Sequence, residues 1–159
     1  MEYPNKLSQY MSFEEATRSQ TATRHNIDNT PNKTQLQNMI FISKEIFDPI
    51  REFVGGPLTC SSFLRVDELN DKIGGSPRSY HRLGAAIDLK KISSNHSYKE
   101  IFDFIKDNLP YSELIWEFGN KKEPAWVHVA YLKGVIKKDN IKRFYFEDGK
   151  RKKTMFDLY

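Results

Sequence analysis

Three side chains in this sequence can do together what none does alone: His81, Asp88 and His128. Two imidazoles and one carboxylate can hold a single zinc ion and leave a fourth position open, the donor set of a metallohydrolase. The chain has only four histidines. His81 and Asp88 lie within Ser79-Tyr80-His81-Arg82-Leu83-Gly84-Ala85-Ala86-Ile87-Asp88, and His128 ends Trp126-Val127-His128 further along. Along one straight strand, His81 and Asp88 would point to opposite faces and stand roughly 20 Å apart. The chain must therefore turn between them, and Gly84 permits that turn. His128 has to come from a neighbouring strand, with Val127 and Val129 facing the core. Spacing alone leaves a plainer reading open, in which His81 lies on a surface loop and Asp88 is an ordinary strand carboxylate. His128 is then an imidazole bonded to a neighbour. His25, in a polar turn-rich stretch, and His96, in a helix-entry loop, are weak metal candidates.

The elements that must position these groups follow from periodicity. Residues 1–11 read as a loose, flexible arm, and residues 12–159 as one domain. Ser12-Phe13-Glu14-Glu15 fits a capping box, predicting a short helix to about Ser19, followed by a turn-rich segment from Thr21 to Pro31. Leu36, Met39, Ile40, Phe47, Ile50 and Phe53 recur at mostly helical steps and predict a long helix over 33–54. Pro49 interrupts it with a kink or a local restart. Leu58–Phe63 and residues 84–90 read as strands, with a short helix from Val66 to about Ile73 between them. In the second strand, Ala86 and Asp88 share one face, and Ala85, Ile87 and Leu89 share the other. A helix is expected from Ser97 to about Asn108. Leu114–Phe118 and Trp126–Tyr131 read as an antiparallel hairpin. Ile141–Phe146 and Lys152–Phe156 flank Glu147-Asp148-Gly149-Lys150, a second hairpin signal. Helices preceding a mainly antiparallel sheet make an α+β domain.

Composition removes several alternatives. The chain has 159 residues, a net charge of +4 and a single cysteine, Cys60. An internal disulfide framework and a cysteine-rich metal site are excluded, and Cys60 reads as a small buried apolar residue. No 18-residue apolar run occurs, so no membrane span is expected. The first residues lack the apolar stretch of a secretory signal. The basic run Lys150-Arg151-Lys152-Lys153 follows a turn, as in a solvated hairpin, and no zinc-finger or helix-turn-helix spacing accompanies it.

The 79–88 segment closely resembles the S-x-H-x-x-G-x-A-x-D motif of the zinc D-alanyl-D-alanine carboxypeptidase and endolysin family, the M15-type peptidases. It matches at Ser79, His81, Gly84, Ala86 and Asp88. Trp126-Val127-His128 resembles that family's last zinc-ligand segment. Thr21-Ala22-Thr23-Arg24, Ile27-Asp28-Asn29-Thr30-Pro31, Leu69-Asn70, Gly74-Gly75-Ser76-Pro77 and Asp148-Gly149-Lys150 are similar to a phage-associated branch, so the likeness covers about residues 11–156. The resemblance implies a D-Ala-D-Ala peptidase or hedgehog-type fold, with Zn2+ held by His81, Asp88 and His128. It also implies hydrolysis of a peptide bond in bacterial peptidoglycan stem or cross-link peptides by a phage lysis or virion-associated enzyme. The protein is then expected to be soluble and monomeric, acting at the wall after release from the host cytoplasm or from a particle, with no nucleic-acid partner.

The proton shuttle is where this chain departs from the family. Many members carry an acid three positions before the last histidine, where this chain has Ala125. Glu117, at the end of the preceding strand, is the favoured substitute, and Glu123, in the loop, is the alternative. Arg65 is the expected oxyanion or substrate contact, although Ser62-Phe63-Leu64-Arg65 lacks the glycine and tyrosine of the family's Ser-Gly-Tyr run. Ser79 and Trp126 are expected at the substrate, and Arg82 at the rim. Ala125 also motivates a rival, a zinc-fold binding or structural module of a virion with weak or no turnover. A nucleic-acid-binding protein using the basic hairpin is the third reading.

Overall fold

Helices dominate the first part of the chain and strands the second, with one strand, Leu58–Ser62, among the helices and one amphipathic helix, Tyr98–Asn108, among the strands. The computed structural model describes residues 1–92 and 95–155. Its helices are α1 (Phe13–Thr17), α2 (Gln20–Arg24), α3 (Lys33–Ile42), α4 (Asp48–Val54), α5 (Asp67–Lys72) and α6 (Tyr98–Asn108). Its strands are β1 (Leu58–Ser62), β2 (Ala86–Lys91), β3 (Glu113–Glu117), β4 (Trp126–Ala130), β5 (Ile141–Glu147) and β6 (Lys150–Met155). The strands form one six-stranded sheet in the order β1-β2-β4-β3-β5-β6. Every pairing is antiparallel except β3 with β5. The expected α+β architecture is therefore present.

One face of the sheet packs against the helices. Ile87, Leu89, Leu114, Trp116, Val127 and Val129 are buried there in a single core with Ile42, Ile46, Phe47 and Ile50 and with Ile101, Phe102 and Ile105 of α6. Each such side chain is worth about 1.5–3 kcal/mol when taken from water. That burial fixes the register, because a one-residue slip would turn every core residue outward. It also dictates what the other face carries. With odd-numbered positions of β2 and β4 in the core, Asp88 and His128 must project from the opposite side, where they are direct cross-strand neighbours.

Several expectations change in detail. The segment after Arg18 forms α2, because Ser19 caps it through Ala22 N–H and Ala22 packs with Ile27 and Leu69. The long helix absorbs Pro49 without breaking. A π turn over Ser43–Phe47 joins α3 to α4, with the Asp48 N–H reaching back to the Ser43 carbonyl. Ser12 caps α1, accepting from the Glu15 N–H at 3.0 Å, but the Glu15 carboxylate does not complete a capping box. It accepts instead from the Thr59 hydroxyl on β1. Part of the expected loose arm is anchored: Leu7 and Met11 are buried in the core, and the Asp48 carboxylate accepts from the Ser8 hydroxyl at 2.7 Å and from the Gln9 and Tyr10 N–H groups. Phe156, expected to end the last strand, lies outside the described residues.

Candidate metal centre

His81 reaches the site from a turn. A single 3₁₀ turn, Tyr80–Leu83, is capped by Ser79, whose hydroxyl accepts from the His81 N–H, and is closed by Gly84 at φ 66°. Gly84 is required twice over. Its backbone is left-handed, and a Cβ there would stand 2.8 Å from both the Gln35 carbonyl oxygen and Met39 Cγ. This turn brings His81 back over β2, so residues distant along an extended chain become neighbours.

The donor atoms of His81, Asp88 and His128 lie within 4.8 Å of one another, and all three residues are buried. Asp88 Oδ1 stands 3.2 Å from His81 Nε2 and 2.9 Å from His128 Nδ1. The outer nitrogen of each ring has its own partner. His81 Nδ1 lies 2.6 Å from the Phe63 carbonyl oxygen, which can only accept, so that nitrogen carries the proton. His128 Nε2 lies 3.0 Å from Glu113 Oε1, and Lys142 Nζ donates to the other Glu113 oxygen at 2.7 Å. Outer acceptors of this kind fix ring orientation and leave the inner nitrogen free for a metal. Arg65 fixes the carboxylate in the same way, donating from Nη2 to Asp88 Oδ2 at 3.0 Å and from Nε to Ser62 Oγ at 2.8 Å. Two oriented imidazoles and one oriented carboxylate, converging from a turn and two strands, suit zinc in donor type and number.

The electrostatics describe a cage tensioned around this point. Burial opposes ionisation of Asp88, but its two imidazole partners hold the carboxyl well below the usual range. Burial likewise opposes charge on His128, and the hydrogen bonds to Asp88 and Glu113 outweigh it and raise its pKa. Glu113 is carried down to about 2 against its burial by His128 and Lys142. A protonated His128 thus bridges two carboxylates, and an incoming cation would take over that charge.

Glu117 behaves differently. It sits two residues beyond Ile115 on the same face of β3, opposite Trp126. The residue is 7% exposed, and its carboxyl is pushed up to about 7, first by burial. Among the described residues it has no hydrogen-bonding or ion-pair partner. It lines the same cleft, of about 690 Å³, as His81, Asp88 and His128. Glu123 does not line the cleft. Its carboxylate accepts from the Tyr98 and Lys99 N–H groups at the start of α6. Arg65, Ser79 and Trp126 do line it, and Trp126 leans on Phe118 with ring centres 5.4 Å apart. Arg82 pairs with Asp67 away from the cleft.

The remaining candidates fall elsewhere. Cys60 is buried, and burial pushes its thiol up to about 12, so it is no nucleophile. His25 ends α2, and His96 pairs with Glu100 and lies tilted against the Phe53 ring. The expectations from sequence did not include Glu113 and Lys142, nor the cleft residues Phe144, Arg151 and Lys153 of the β5–β6 hairpin. Glu113 has a signal: it alternates with Ile115 and Glu117 on β3, and so shares their face. Among the described residues, no helix is long and apolar enough to cross a membrane.

Comparison with known proteins places this site in a family. No curated protein matches the chain. A family model described as Peptidase M15 matches residues 9–130, a span that holds His81, Asp88, Glu117 and His128 and leaves out the β5–β6 hairpin. The chain belongs to the peptidase M15 family, a family of zinc metallopeptidases.

Proposed function

We propose that this protein hydrolyses a peptide bond in bacterial peptidoglycan stem or cross-link peptides, with zinc, and that it serves a phage. The observation that carries the reading is the pairing of a triply oriented donor set with an uncommitted, buried carboxyl in one cleft. The likeness of Ser79–Asp88 and Trp126–His128 to D-alanyl-D-alanine carboxypeptidases and endolysins supports the wall substrate, and the upstream segments similar to a phage-associated branch support the phage.

His81, Asp88 and His128 would hold the metal. Zinc, when bound, supplies Lewis acidity that makes a water nucleophilic near neutral pH and polarises a carbonyl. The protein supplies the rest. Glu117 is the proton carrier: its Oε atoms accept the proton of the attacking water and return it to the leaving amine. Burial raises this carboxyl to about 7 in the metal-free protein, and a zinc ion beside it would draw it down toward the ionised form that accepts a proton. Arg65 holds Asp88 in place and, at the cleft, offers a cation for the developing oxyanion or a substrate carboxylate. Ser79 and Trp126 shape the wall against which the peptide lies. Glu117 lines the same cleft as the three donors, which supports this role where Ala125 cannot serve.

The test is release of new amino groups from purified peptidoglycan by zinc-loaded and chelator-treated protein. Zinc-dependent release is expected. No release by fully zinc-loaded protein would favour a virion binding module with the fold of a peptidase.

A further inference from the structure

The sheet continues past the matched family segment, and its continuation forms one wall of the cleft. Register decides which residues face inward. Ile115 pairs with Lys142 and Glu117 with Phe144, while Phe144 pairs in turn with Lys153 and Phe146 with Arg151. Lys142, Phe144, Arg151 and Lys153 therefore share the face of Glu113 and Glu117, and all four line the cleft. Their charges are not equivalent. Lys142 is neutralised by Glu113 at 2.7 Å. Among the described residues no carboxylate lies within ion-pair distance of Arg151 or Lys153, although Arg151 acts on Glu117 through space, and both cations are exposed. The Arg151 guanidinium lies 4.2 Å from the centre of the Phe144 ring, which orders its plane while leaving its edge to other partners. Phe144 stands beside Glu117, so this cation lies next to the reacting end of the cleft.

Resting on the peptidase reading, we propose that the β5–β6 hairpin is a carboxylate-binding wall, with Arg151 and Lys153 selecting peptides that carry a free carboxylate near the scissile bond. The acidic end of the cleft is balanced by His128, Lys142 and Arg65. Among the described residues, the two hairpin cations form no ion pair and can turn to a ligand. A planar guanidinium grips a carboxylate with two hydrogen bonds, and a lysine adds a second point of charge. The carboxylate belongs either to a residue within the peptide or to its C-terminus, and both present the same chemistry to the wall.

The experiment is calorimetric binding to zinc-loaded E117Q protein, in which turnover does not interfere. Four otherwise identical wall-type peptides carry, at an internal glutamyl group and at the C-terminus, either the free acid or the amide. One of the two free acids is expected to bind about tenfold tighter than its amide, the span of a partly solvated charged hydrogen bond. Which of the two does so names the source. Adding R151Q/K153Q should bring that ratio close to one, and adding R151E/K153E should invert it. A ratio unchanged by these substitutions would overturn the proposal, as would no preference or no binding. Tighter binding of a single-stranded oligonucleotide through the same two residues would overturn it as well. Cleavage of the four peptides by the parent protein tests the peptidase reading separately, so either can fail alone.

Discussion

The two faces of the central sheet are built from alternate residues of the same strands and do opposite work. On one, Ile87, Val127, Val129 and Leu114 are fully buried against helices. On the other, Asp88, His128 and Glu117 are almost as buried, yet they face one another and a cleft. The apolar face holds strands in register, and the polar face inherits positions from that register. Burial thus packs apolar side chains on one side and gathers ionisable groups around a cleft on the other, and a residue's number along the strand decides which.

That contrast is sharpest for adjacent residues. Asp88→Ala should abolish stoichiometric zinc binding and lower peptide hydrolysis by about 10³-fold or more, since the metal's contribution goes with it. Its neighbour Ile87→Ala should keep zinc while costing about 2–5 kcal/mol of folding stability through the cavity it leaves. Metal analysis and thermal unfolding of both variants check this, and zinc loss in Ile87→Ala would blur the division. Next in size is Glu117→Gln, expected to retain zinc and lower kcat about 10²–10⁴-fold. Equal kcat would remove Glu117 from proton transfer.

A buried carboxyl on the polar face also has a stability signature. The Glu117 pKa is raised from 4.5 to about 7, so the folded protein holds a proton that the unfolded chain releases. Its contribution is complete below pH 4.5 and is lost as pH rises through about 7. Metal-free parent protein should therefore lose about 3 kcal/mol relative to metal-free Glu117→Gln between those limits. Denaturant unfolding at several pH values reads it, and parallel curves for the two proteins would contradict the assigned burial effect. The smallest effect should come from Glu113→Gln, which weakens the orientation of His128. Zinc affinity is expected to fall about 10–100-fold while the ligands remain in place. A competition titration with a chelator measures it.

How much of this was legible in the sequence depends on how local each relationship is. The turn at Gly84 and the flanking valines of His128 are readable within a few residues, and both are where they were expected. Glu113 is readable only after β3 pairs with β4, because its partner is a histidine fifteen positions on. The basic hairpin was recognisable as a hairpin from Asp148-Gly149, but its place beside Glu117 depends on the parallel β3–β5 pairing. No periodicity encodes which strand a hairpin joins. Pro49 was legible as a disturbance, and only the packing on both sides made it a π turn and not a break. Glu117 was favoured over Glu123 for its place at the strand end, but nothing in the sequence told where the Glu123 carboxylate would go. The N–H groups that open α6 took one and left the other free.

On the proposed reading, His81, Asp88 and His128 hold zinc with Glu117 beside it. Anomalous diffraction from crystals of the purified protein, recorded on both sides of the zinc absorption edge, tests it most directly. One anomalous peak is expected among His81 Nε2, His128 Nδ1 and a carboxylate oxygen of Asp88, with the Glu117 carboxyl facing the open side of the ion. A zinc-loaded crystal with its peak elsewhere, or with Glu117 turned away from that open side, would contradict it.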